Sequence, residues 1–163
     1  MSHPIHQSTP GAKPGGQSPL QKIIQLLGGP QVLERPILSK LDVHEAILKG
    51  IPGGALVFIV EHVKSMEPSD VTRAVGVSLR TVQRRTKTPA TRLSQEQSGR
   101  TWKFAEILAR ATEVFGDQAE AEQWLARPAM ALDERRPLDL LSSPAGVEMV
   151  EQVLGRLEHG VYT

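Results

Sequence analysis

Apolar side chains recur at three- and four-residue intervals along most of this chain, and turn residues repeatedly interrupt the runs. Leu20, Ile23, Ile24 and Leu27 share one helical face and stop at Gly28-Gly29-Pro30, the chemistry of a helix C-terminus. A second helix is expected over residues 41–49, closed by Gly50 and Pro52, and an apolar helix over residues 55–64 after Gly53-Gly54. Two short helices follow, 69–75 and 79–87, and then a connection from Thr88 to Leu93. Ser94 and Gln97 have capping-box spacing at the head of a long helix carrying Trp102, Ala105, Leu108, Ala109, Thr112 and Phe115 on one face. Gly116 should end it. Asp117 with Glu120 opens the next helix, and Ser143-Pro144 opens a last one with Val147, Val150, Leu154 and Leu157. No alternating strand pattern of useful length occurs. The expected class is all-α without an internal repeat, divided into 1–18, 19–93 and 94–163. Residues 1–18, rich in proline and glycine, bury too little to offset their ordering entropy and are expected to be a disordered tail.

Several classes of function fall on composition. The longest apolar run, Ala55 to Val60, is far short of a membrane span of ~18 residues. The first residues lack a basic start followed by an apolar core, so no secretory signal is expected. The 163 residues contain no cysteine, which removes thiol nucleophiles and thiolate metal sites. A soluble cytoplasmic protein is the expectation. Of the histidines His3, His6, His44, His62 and His159, two lie in the expected tail and none forms a two-histidine metal spacing on a helix, so no metal or other cofactor is expected. Gly28-Gly29 and Gly53-Gly54 are not phosphate loops, because no strand precedes them and no Lys-Ser/Thr follows. No catalytic residue is assigned and no enzyme is expected.

A net charge of +1 hides a strong asymmetry. Residues 1–59 carry +2, residues 60–103 hold nine basic and four acidic side chains for +5, and residues 104–163 hold five and eleven for −6. The basic zone contains a helix-turn-helix candidate, 67–87. There Val71 and Val75 face inward, Gly76 allows a wide turn, Val77 seals it, Ser78 caps, and Leu79 and Val82 seat the second helix. Facing outward are Arg80, Thr81, Gln83, Arg84 and Lys87, with Arg85 nearby. Guanidinium forks suit guanine or phosphate, an amide suits adenine, and hydroxyls and a capped helix N-terminus, here Ser78, suit phosphate. Thr72 stands where a small alanine is usual, and Arg85 at a position often apolar. The DNA-binding candidates are therefore Ser78, Arg80, Thr81, Gln83, Arg84, Arg85 and Lys87. One subunit presents one reading helix, so operator DNA implies a homodimer on a two-fold site.

The acidic third carries a series of blocks in order: Leu108-Ala109-Arg110-Ala111, Val114-Phe115-Gly116-Asp117, Ala121, Trp124-Leu125, Arg127-Pro128, Ala131-Leu132 and Arg136-Pro137-Leu138-Asp139-Leu140-Leu141. It ends Leu154-Gly155-Arg156-Leu157-Glu158-His159-Gly160-Val161-Tyr162-Thr163. These blocks resemble the Xre/MbcA/ParS-type toxin-binding domain of antitoxins from RES–Xre systems, over residues 94–163. The resemblance implies an Xre/Cro-like helix-turn-helix bundle followed by a small helical toxin-binding domain. It implies a bacterial antitoxin that represses its own operon and occludes the active-site entrance of a RES-domain, NAD-degrading toxin with its C-terminal region. Carried onto this chain, the candidate toxin contacts are Arg156, Glu158, His159, Val161 and Tyr162. Tyr and Arg are frequent interface anchors, and an acidic domain suits a basic rim around an anionic dinucleotide site. The residues also leave open a repressor whose C-terminal bundle senses a ligand, and a partition-type accessory protein.

Overall fold

The computed structural model describes residues 16–160. Among them ten α-helices and one 3₁₀ turn form, and no strand. The helices are α1 (Pro19–Leu26), α2 (Pro30–Leu33), α3 (Lys40–Lys49), α4 (Gly53–His62), α5 (Pro68–Val75), α6 (Leu79–Lys87), α7 (Gln95–Phe115), α8 (Gln118–Ala126), α9 (Pro137–Leu140) and α10 (Pro144–Glu158), with the 3₁₀ turn at Met130–Leu132 between α8 and α9. The chain is all-α, as its periodicity requires.

The helix ends follow from local chemistry. Ser94 accepts from the Gln97 N–H at 3.1 Å while the Gln97 side chain accepts from the Ser94 N–H, a complete capping box. Asp117 and Ser143 cap α8 and α10 by accepting from Glu120 and Gly146. Ser18 makes a second capping box with Gln21 at the start of α1, and residues 1–15 lie outside the described part of the chain. The helices α2 and α9, each four residues long and opened by proline, fall in stretches where the sequence suggested none. They are too short to show a helical repeat.

Two helices organise the packing. α4 is apolar almost all round, burying Ala55, Leu56, Val57, Ile59 and Val60, and touches α1, α2, α5 and α6. α7 buries Trp102, Phe104, Ala105, Ile107, Leu108 and Ala111 and touches α1, α3, α5, α8 and α10. The buried apolar side chains form one continuous core from Ile23 to Leu154. Polar links cross it as well. Ser98 on α7 accepts from the Ile51 N–H at 2.9 Å. The buried Glu122 carboxylate on α8 accepts from Lys64 N–H (2.6 Å), Ser65 N–H (2.9 Å) and the Gln118 amide (2.9 Å), holding the turn between α4 and α5. The connection after α6 braces α4, with Gly53 N–H donating to Thr91 C=O and Gly54 N–H to Pro89 C=O, both at 2.9 Å.

Candidate nucleic-acid and partner surfaces

α5 and α6 are two short helices joined by a turn at Gly76, at the segment the sequence offers as a helix-turn-helix. Val71, Val75, Val77 and Val82 are buried between them and the core. Gly76 has φ 71°, a left-handed turn, and a side chain there would run into the Arg100 guanidinium. Arg100 occupies that space because it donates to the Ala74 carbonyl (3.1 Å) at the end of α5 and to Ser142 C=O (3.2 Å). Thr72 is buried, and its hydroxyl is satisfied by donating to Ser69 C=O at 3.0 Å. Leu79 departs from expectation. It is 41% exposed, because the first residue of α6 projects past the turn and α6 is seated by Val82 alone among its apolar side chains.

The seven DNA-binding candidates separate into three groups. Arg80, Gln83, Arg84 and Lys87 are exposed and spaced to share one face of α6. The side chains of Arg80, Gln83 and Lys87 make no hydrogen bond or ion pair with any described residue, and the Arg84 side chain reaches only the Thr81 hydroxyl at 3.4 Å. Ser78 and Thr81 serve the helix start, since the Ser78 hydroxyl accepts from Thr81 N–H at 3.1 Å and lies 3.0 Å from the Thr81 hydroxyl. Arg85, which the sequence set beside the outward group at a position often apolar, does not join the open face. One turn beyond Val82, it lays its aliphatic stem across Gly53 at the head of α4, and its Nε is buried without a partner. It is half-buried rather than part of the open basic face.

The acidic third is tied to this unit by an ion cluster. Arg136, just before α9, donates to both oxygens of Asp70 on α5 (3.1 and 3.3 Å) and both of Asp139 (2.8 and 2.9 Å). Arg73 joins from α5, 3.2 Å from Asp70. The bond from Arg136 holds the Asp139 carboxyl below its usual range, and the two aspartates hold the Arg136 guanidinium above its own. The i, i+3 spacing of Arg136 and Asp139 was visible in the sequence; the partner on α5 was not.

Arg156 and His159 are exposed near the end of α10. Glu158 is already engaged, accepting from Arg110 at 3.0 and 3.4 Å, a bond that lowers its carboxyl and raises the Arg110 guanidinium. Val161 and Tyr162 lie outside the described residues. Among the described residues no group of three metal-binding side chains is close enough to hold an ion, and no helix is long and apolar enough to cross a membrane.

These carboxylates give the fold a defined acid response. Asp139 and Glu158 ionise at lower pH in the folded chain than in the unfolded one. Their contribution is therefore fully present above the unfolded values near ~4 and is lost as pH falls through the depressed folded values. Thermal melts from pH 7 to pH 2 should show it as a decline beginning below about pH 5. An Arg110→Met/Arg136→Met double substitution should flatten that decline. An unchanged profile would place the acid sensitivity elsewhere.

Residues 110–160 match the Antitoxin Xre/MbcA/ParS C-terminal toxin-binding domain. A protein named Antitoxin Xre from Yersinia enterocolitica is 34% identical over 100 residues, covering 61% of this chain and 67% of the relative. The chain belongs to the Xre antitoxin family. Two further proteins of that name agree, from Photorhabdus laumondii (29% over 127 residues, 77% of this chain and 84% of the relative) and Pseudomonas putida (28% over 124 residues, 76% of each). This Xre-type chain is an antitoxin of a toxin–antitoxin system, and a cognate toxin is the partner its C-terminal domain implies. Most of the resembling blocks turn out to be scaffold. Leu108, Ala111, Ala121, Leu125, Leu132, Leu138, Leu141 and Leu154 are all buried, and Phe115 packs on Trp124 with ring centres 5.3 Å apart.

Proposed function

We propose that this antitoxin neutralises a RES-domain, NAD-degrading toxin by covering its active-site entrance with the C-terminal region, and that a homodimer binds operator DNA through α6 to repress the operon. The match of residues 110–160 to a toxin-binding domain carries the first part. The RES identity of the toxin comes from the resemblance of the sequence blocks to antitoxins of RES–Xre systems. The outward face of Arg80, Gln83, Arg84 and Lys87, in a zone of charge +5, supports the second part. Arg156, Glu158 and His159 are the exposed candidates for the toxin contact, Glu158 already paired with Arg110, with Val161 and Tyr162 beyond them in the chain.

The toxin encoded beside the antitoxin gene tests the first part. Its NAD consumption should stop when an equal amount of full-length antitoxin is added. A chain lacking residues 159–163 should leave most of that consumption running while still shifting operator DNA. Full protection by the truncated chain would remove the occlusion mechanism. A ligand-sensing repressor is the second reading, favoured by an open groove of about 870 Å³ between α1, α3 and α7, lined by Leu20, Ile23, Val43, Ile47 and Trp102. Co-purification separates the two, since a sensor brings down no neighbouring toxin.

A further inference from the structure

The segment between α8 and α9, residues 127–136, is a closed loop. Ala129 N–H donates to Arg135 C=O at 3.0 Å, and the Ala129 carbonyl accepts from Leu132 N–H (2.9 Å) and Glu134 N–H (3.0 Å). Leu132 is buried and ties the loop floor to the core, where the 3₁₀ turn packs against α10. The far end is fixed by Arg136 and its bonds to Asp70 and Asp139. The loop is therefore tied down at its neck, floor and exit.

What it displays is unfavourable for an isolated protein. Met130 is 84% exposed, the most exposed of the large apolar side chains among the described residues. Asp133 and Glu134 follow in succession at φ 54° and 61°, in the left-handed region that non-glycine residues rarely occupy. Both are exposed carboxylates. Backbone strain and an apolar tip in water fall in one short loop, and no core packing is gained by Met130 itself.

We infer that this loop is a toxin-contact surface, with Met130 entering an apolar pocket on the toxin and Asp133 and Glu134 facing basic groups on its rim. The inference rests on the reading that residues 110–160 bind a toxin, and it adds a contact separate from the chain's C-terminal residues. The loop lies inside the region that matches a toxin-binding domain, which favours the toxin over a second copy of this chain. A thioether adapts to an irregular pocket, and a loop already held in shape gives up little freedom on binding.

The test uses the full-length chain and the purified toxin encoded beside it, in a surface-binding assay. Met130→Glu should weaken binding by ~30-fold or more, the ratio expected for loss of a central anchor. Met130→Leu should stay within about 3-fold of the parent chain, and Asp133→Asn/Glu134→Gln should slow association most at low salt. Because Met130 is exposed, melting temperatures should be unchanged, which separates lost contact from lost fold. If the parent chain binds and Met130→Glu binds within 3-fold of it, the loop is not a contact. If the parent chain itself does not bind, the toxin-binding reading falls, and this inference with it.

Discussion

Replacing Arg80 and Arg84 together by alanine is expected to weaken operator binding by at least ~30-fold, at ~1–3 kcal/mol for each good guanidinium contact. Both side chains are exposed on one face of α6, and neither is committed to an ion pair within the described residues. A gel-shift titration on the antitoxin's own promoter measures the loss. Repeating it across a salt series tells how each arginine acts. Each phosphate contact removed should lower the slope of log affinity against log salt by about 0.9, whereas loss of a base-edge contact should erode discrimination between sequences. The melting temperature should barely move, because neither arginine packs into the core. Normal promoter binding by the double mutant would sink the assignment of α6 as the reading helix. Arg85→Ala, by contrast, should act mainly on stability, since the Arg85 stem covers Gly53 at the head of α4.

A second large effect is expected from one methyl group. Gly146 lies buried in the first turn of α10, where that helix crosses the end of α9. A Cβ there would overlap the Leu140 carbonyl oxygen and come within 2.7 Å of its carbonyl carbon. The obstacle is backbone, so no change of rotamer relieves it, and α10 must move away from α9. The expected cost for Gly146→Ala is about 3 kcal/mol. For a chain of this size that corresponds to a fall of ~6–12 °C in melting temperature. Toxin neutralisation should weaken in step, because α9 and α10 both belong to the matched toxin-binding region. Gly155→Ala in the same helix is the control. Its Cβ would meet only the Arg110 guanidinium, at 3.3 Å, so the gain in helix propensity of ~1 kcal/mol should leave it neutral or more stable. Equal melting temperatures for the two variants would show that the close crossing of α9 and α10 carries no weight.

Most of the helices were legible because their signals are local. The Ser94/Gln97 box, the Asp117 and Ser143 caps and the turn at Gly76 each involve residues within a few positions of one another, and each forms as the spacing suggests. The short helices α2 and α9 had only the proline at their first turn to announce them. Leu79 and Arg85 went the other way from simple patterning. Apolar character placed Leu79 inside, and charge put Arg85 among the basic candidates although it stands at a position often apolar. The neighbouring turn leaves Leu79 uncovered, while the face of Val82 carries the stem of Arg85 inward. At the C-terminal end Glu158 looked as available as Arg156, and only the fold brings Arg110 to it across 48 positions. Met130 gave no signal at all, since a methionine between an alanine pair marks neither a face nor a cap.

What the sequence determined by itself was the helical class, the position of most helix ends and the opposition of a basic middle to an acidic end. Those properties depend on the intrinsic spacing of side chains and on caps that reach three or four residues. The tertiary structure decided which polar groups remain free to meet a partner. It seats Arg136 between Asp70 and Asp139, pairs Glu158 with Arg110, turns Arg85 across Gly53, and leaves Arg80, Gln83, Arg84, Lys87 and Met130 outside. Availability is a property of packing across long separations in the chain, and a charged or apolar residue carries no local mark of whether another helix will cover it.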